Sequence, residues 1–162
     1  MNTNNFHYRV IKARVAETII KELFLLSGYS VFDYGMERSM PSITGKLNMD
    51  NSETALQIRK MPDFVIQSPP PENELFYVEV KYRKNSQFPT DADDLINFPY
   101  SNAWFIIVSQ NNIRCISYNQ ILQGKNIMAD DCLLGNSEIF HLEKKNVKLF
   151  QEYARQFFLG VK

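Results

Sequence analysis

The chain has 162 residues, a length typical of one domain with room for a substantial core. Hydrophobic residues make up 44% and charged residues 22%, as is ordinary for a soluble globular protein. Lys and Arg total 18 and so do Asp and Glu, giving a net charge of zero. This balance argues against a protein that coats nucleic acid by charge alone, without excluding a local basic patch.

The cysteine usage and the start of the chain bear on the cell compartment. Cys115 and Cys132 do not have the spacing of metal ligands and fit free thiols in a reducing compartment. The start, Met1 to Asn5, is polar, and no apolar run approaches 18 residues. We therefore expect a cytoplasmic protein with no membrane partner.

The first third of the chain predicts a helix, a strand, a long loop and a short helix. Apolar residues recur at steps of three and four between residues 8 and 27, and Gly28 is well placed to end that helix. Residues 29–34 are a plausible strand, and residues 35–52 have the composition of a loop. Ser52 and Glu53 could begin a short helix that reaches Arg59.

The middle and the end of the chain predict four more strands and two helices. Strands are expected at residues 62–67 and 75–82, with a proline-rich turn between them. Three acids predict a short helix at 91–96, and the apolar run 103–108 predicts a central strand buried on both faces. A further strand is expected at 113–118.

Residues 119–137 have no clear pattern, and a last helix is expected at 143–159. The order of elements predicts one domain over residues 1–162, an α/β sandwich with a mixed sheet.

Two short motifs carry the chemistry. Pro62-Asp63 lies at the start of one predicted strand, and Glu79-Val80-Lys81 lies in the next. Because side chains alternate along a strand, Glu79 and Lys81 point to the same face. Two carboxylates and a lysine on neighbouring strands can hold a divalent metal and activate a water, which is the chemistry of phosphodiester cleavage.

The order of these motifs resembles the PD-(D/E)XK nuclease superfamily, which includes restriction endonucleases and archaeal-type Holliday junction resolvases. The match covers residues 8–110: a leading helix, a strand, the strand with Pro62-Asp63, the strand with Glu79-Val80-Lys81, then a helix and a strand. Glu17 on the first helix, followed by Gly28-Tyr29-Ser30-Val31, is similar to the start of many members.

The resemblance implies a fold and a set of roles. The fold would be a restriction endonuclease-like three-layer sandwich with an αβββαβ core around a mixed central sheet. Asp63 and Glu79 would bind Mg²⁺ or Mn²⁺ together with the backbone carbonyl of Val80, Lys81 would be the catalytic lysine, and Glu17 would be a supporting acid. Hard divalent cations prefer such oxygen ligands.

Each of these residues also has an ordinary structural interpretation. Glu79 and Lys81 could form an ion pair on a solvated strand face, which contributes little to stability. Asp63 could end a turn, and Glu17 could be a solvated helix residue. Basic residues on the first helix form at best a weak patch: Arg9, Lys12, Arg14 and Lys21.

We therefore expect a metal-dependent nuclease whose partner is nucleic acid, with DNA favoured over RNA and with weak phosphate contacts from Arg83 and Lys84. The alternatives are a catalytically inactive binding module of the same fold and a subunit of a larger DNA-processing complex. Phe150, Phe157 and Phe158 on the last helix predict a homodimer through that helix.

Overall fold

The computed structural model describes residues 3–36, 52–86, 95 and 98–159, with side chains from residue 6 onward. The helices are α1 (Thr3–Leu26), α2 (Glu53–Arg59), α3 (Tyr118–Leu122) and α4 (Lys144–Phe158). The strands are β1 (Ser30–Asp33), β2 (Phe64–Gln67), β3 (Leu75–Tyr82), β4 (Ala103–Val108) and β5 (Ile113–Ser117). Two short 3-10 turns lie at Asp130–Cys132 and Leu134–Asn136.

The five strands form one sheet in the order β1-β2-β3-β4-β5. β3 and β4 are parallel, and the other three neighbouring pairs are antiparallel. The prediction of an α/β protein with a mixed sheet and helices is therefore confirmed. β4 is buried as expected, although β3 rather than β4 is the middle strand.

The buried residues form two clusters. One contains apolar side chains of α1 and α4 together with residues of β2, β3, β4 and β5, and Phe24 and Phe140 are fully buried in it. The other contains Ala103, Phe105 and Ile107 of β4, with Tyr118 and Ile121 of α3. Residues of β4 alternate between the two clusters, as the two faces of one strand require.

The last helix buries more of its aromatic residues than the dimer prediction assumed. Phe150 and Phe158 are 8% and 2% exposed and belong to the core beside α1, whereas Phe157 is 63% exposed. The expected aromatic dimer surface is therefore wrong for Phe150 and Phe158. The residues left exposed along this helix are Leu149, Tyr153 and Phe157.

Other predicted boundaries differ in ways that local chemistry explains. α1 begins at Thr3 rather than at residue 8, and β5 ends at Ser117 because Ser117 caps α3, in a reciprocal pair with Gln120. α2 begins as expected, with the Ser52 hydroxyl accepting a hydrogen bond from the Ala55 amide.

Two expectations fall largely outside the described residues: the loop at 35–52 and the helix at 91–96. None of the helices in the described parts of the chain is long and apolar enough to cross a membrane.

Candidate functional site

The β2–β3 pairing brings the two predicted carboxylates together. Phe64 pairs with Val78, so one further step along the same register sets Asp63 opposite Glu79. Asp63 lies just before β2, and its Oδ2 accepts a hydrogen bond of 2.7 Å from the Val80 amide. The Asp63 carboxylate is thereby fixed beside the motif on β3.

Glu79 and Lys81 lie on the same face of β3, as their spacing predicts. Lys81 Nζ is 2.8 Å from Glu79 Oε1, and the two side chains are only 23% and 14% exposed, respectively. The ion pair of the ordinary interpretation is present, but it does not lie on a solvated face. Taking both charges out of water has a cost that a purely structural surface pair would not carry.

Glu17 joins this group from α1. It is partly buried, one turn before Ile20 and two turns before Phe24, both of which are fully buried in the core. α1 packs against β3, and the negative charge of Glu17 is close enough to act on the Asp63 carboxyl group. Glu17, Asp63 and Glu79 line the same cavity, which has a volume of about 560 Å³.

The electrostatics of Asp63 report how closely these charges approach one another. The pKa of the Asp63 carboxyl is raised well above its usual range, first by burial and then by the negative charges of Glu79 and Glu17. The Val80 amide and the Lys81 ammonium act on this pKa in the opposite direction. All four predicted side chains, Glu17, Asp63, Glu79 and Lys81, therefore lie within one electrostatic neighbourhood.

A second cavity of about 450 Å³ shares these three acids and is rich in cations. Its lining includes the predicted phosphate contacts Arg83 and Lys84, together with Arg9 and Lys12 of α1. Lys12 Nζ lies 4.5 Å from the centre of the Tyr8 ring and 5.4 Å from that of Tyr82.

The sequence alone does not indicate that some of these cations lie at the site. Arg9 and Lys12 belong to the weak patch expected on α1, and no sequence motif points to Arg59, which lines the first cavity. Their i, i+3 spacing places Arg9 and Lys12 on one face of α1, but nothing local relates that face to the end of β3. Lys21, the most distant member of the patch, instead pairs with Asp33 at 2.9 Å.

The residues can be tested against a divalent metal. Within the described residues, no three side chains of His, Cys, Asp or Glu are grouped as a set that could hold a metal ion. Mg²⁺, however, is usually held by one or two carboxylates, with waters and substrate phosphate completing its six ligands. Two hard oxygen donors, Asp63 and Glu79, whose negative charges oppose each other, fit that requirement.

Comparison of the chain with protein-family models, with curated proteins and with solved structures finds no match in any of the three.

Proposed function

We propose that this chain is a metal-dependent nuclease that hydrolyses phosphodiester bonds, with DNA as the expected substrate. The observation that carries the proposal is that Glu17 of α1 and Glu79 and Lys81 of β3 lie close to the carboxyl group of Asp63, which directly precedes β2. Converging carboxylates repel one another, and a folded chain that gathers them is suited to bind a cation there.

The proposal extends to the fold family. The order α1, β1, β2, β3 corresponds to the αβββ start of the PD-(D/E)XK core, with the short helix α2 inserted between β1 and β2. Two buried clusters that draw on opposite faces of β4 favour the three-layer arrangement of that core. We infer membership from these features together with the position of the acids.

The proposed roles follow from where each group lies. Mg²⁺ or Mn²⁺, when bound, would lower the pKa of a bound water and neutralise charge on the phosphate. Asp63 and Glu79 would hold it together with the backbone carbonyl of Val80, the residue whose amide donates a hydrogen bond to Asp63 Oδ2. Lys81 can orient the attacking water or stabilise charge on the phosphate oxygens. The attacking water gives up one proton as its oxygen forms a bond to phosphorus, the bond from phosphorus to the sugar oxygen breaks, and the sugar oxygen takes up a proton to leave as a hydroxyl group.

The decisive experiment is cleavage of labelled DNA with Mg²⁺ or Mn²⁺ by wild type and two matched variants. Lys81→Ala should lower kcat by about a hundredfold or more, because charge stabilisation in a transition state is worth that much. Lys21→Ala is the control, since Lys21 forms a comparably short ion pair with Asp33 and is 28% exposed.

Equal loss in both variants would show a general effect of removing a paired lysine and would contradict the role of Lys81. Glu79→Gln should lose cleavage and also metal binding, whereas Lys81→Ala should keep metal binding. RNA of the same sequence tests whether DNA is preferred.

A binding module of the same fold is the second candidate. The observation in its favour is that Glu79 and Lys81 already satisfy each other at 2.8 Å. In that case the acids are structural and neither Mg²⁺ nor Mn²⁺ changes the protein. A purified chain that cleaves neither DNA nor RNA with Mg²⁺ or Mn²⁺, and gains no stability from either metal, would refute the nuclease and favour the binding module.

A further inference from the structure

Although the chain has no net charge, positively charged residues outnumber acids in the second cavity. Five of the eleven described residues that line the second cavity are Lys or Arg, against three acids. A polyanionic substrate would be repelled by Glu17, Asp63 and Glu79 if no cations stood beside them. A surface that offsets this repulsion is therefore needed close to the acids, and the second cavity places one there.

Four of these cations come from two elements that are far apart in sequence. Arg9 and Lys12 lie on one face of the first half of α1, and Arg83 and Lys84 follow the end of β3. We refer to these four residues as the basic wall. Because α1 packs against β3, the two pairs face the same cavity as the acids.

Part of the basic wall is held in position before any ligand arrives. The Lys12 ammonium lies over the Tyr8 ring and near the Tyr82 ring. The Arg83 guanidinium donates a hydrogen bond of 3.0 Å to the Tyr82 carbonyl. Tyr82 itself is fixed by ring contact with Phe158, at 4.2 Å between centroids. Side chains ordered in this way lose less entropy when they bind.

We propose that the basic wall binds the sugar-phosphate backbone of a nucleic acid next to the bond that is cleaved. This inference rests on the proposed function, and it assigns the substrate's path to the side of the acids bounded by α1 and the end of β3. Lys and Arg that contact phosphate confer affinity without reading sequence, so the wall acts equally on all sequences.

The test measures binding without cleavage. Asp63→Asn provides a background in which the acidic site is disabled, and fluorescence anisotropy follows a labelled 20-base-pair DNA between 50 and 200 mM KCl. Arg9→Gln/Lys84→Gln removes two exposed cations of the wall. Lys144→Gln/Lys148→Gln is the matched control, because it removes two exposed cations of α4. Both line a separate cavity that also includes Ile113 of β5.

Loss of two phosphate contacts should reduce the slope of log K against log salt by about 1.8 and weaken binding about tenfold or more at 0.1 M salt. The control should keep the slope of the background. Equal slopes for the two double variants, or no binding of the background to duplex DNA, single-stranded DNA or RNA at 50 mM KCl, would overturn the proposal.

The outcome is separable from that of the proposed function. If the wild-type chain cleaves DNA while Arg9→Gln/Lys84→Gln leaves KM and the salt slope unchanged, the wall is refuted and the nuclease stands. If the double variant loses binding and the wild-type chain never cleaves, the wall stands and the nuclease is refuted. Parallel single-stranded and RNA probes identify which backbone the wall prefers.

Discussion

Replacing Asp63 by Asn should stabilise the metal-free protein and remove its response to metal. Asn keeps an oxygen that can accept the 2.7 Å hydrogen bond from the Val80 amide, so the change removes the charge but not the contact. In wild type, burial and then the negative charges of Glu79 and Glu17 raise the pKa of Asp63. The neutral side chain relieves this opposition, so the melting temperature should rise.

The pH dependence follows from the direction of that pKa. Between the unfolded-state pKa of Asp63, about 3.9, and its raised folded-state pKa, the folded protein binds more protons than the unfolded chain. The contribution of Asp63 to the free energy of unfolding is therefore fully present below this window and is lost as pH rises through it. Asp63→Asn should lack this loss, and its advantage should be larger at pH 8 than at pH 4.

The metal response can be given a magnitude. A ligand present at ten times its dissociation constant, and binding only the folded state, stabilises a protein by about 1.4 kcal/mol. For 162 residues the unfolding entropy is about 340 cal/mol/K, so this corresponds to about 4 °C in melting temperature. A millimolar site should thus give about 4 °C in 10 mM Mg²⁺ or Mn²⁺, and none in Asp63→Asn.

Thermal unfolding followed by circular dichroism at pH 4 and pH 8, with and without metal at pH 8, checks these expectations. Asp33→Asn is the matched control, because Asp33 is a partly exposed carboxylate paired with Lys21 rather than with other acids. That variant should gain no stability and should keep the wild-type metal shift. An Asp63→Asn protein that melts lower than wild type in the absence of metal, or that keeps the metal shift, would refute the reasoning.

Three further predictions concern the core, the last helix and the thiols. Phe140→Ala should lower the free energy of unfolding in urea by about 3–5 kcal/mol, because its fully buried ring packs against three other aromatic rings; a loss below 1 kcal/mol would contradict this. Light scattering should find a dimer that Phe157→Ser converts to the 18.9 kDa monomer, and a wild-type monomer would end the dimer hypothesis. Burial raises the pKa of Cys115 to about 12 and also raises that of Cys132, so both should resist a thiol reagent at pH 8 until the protein unfolds; rapid reaction of the native protein would contradict that burial.

Much of the fold could be predicted because its signals are local. The bounds of β3 and β4 agree with the predicted ranges 75–82 and 103–108, where alternating or continuous apolar residues leave little choice. β2 starts later than predicted, at Phe64, because Pro62 has no amide hydrogen to give and Asp63 bonds the Val80 amide through its side chain. Such a side-chain substitute for strand pairing is visible only in three dimensions.

The elements and residues that were missed depend on distant partners. α3 has five residues, too few to carry a helical period, and it relies on the Ser117 cap and on burial of Tyr118 and Ile121. The three acids and Lys81 could be found because each lies in or next to a recognisable strand or helix. Arg9 and Lys12 acquire their meaning only from the end of β3, which the chain reaches much later.

The topology of the sheet also has a consequence for how the protein folds. β2–β3 and β4–β5 are hairpins that close over short connections, and such pairs form within microseconds. The parallel pairing of β3 with β4 requires a crossover connection. Forming it closes a longer loop, which costs more conformational entropy before the pairing can stabilise the fold.

Glu79 and Lys81 belong to this β3–β4 pairing, in which they lie opposite Phe105 and Ile107, respectively. The Asp63–Glu79 half of the site therefore belongs to an early hairpin, while its surroundings are completed only when the two hairpins dock. In pulsed hydrogen exchange during refolding, the amides of the β2–β3 ladder should gain protection before those shared by β3 and β4.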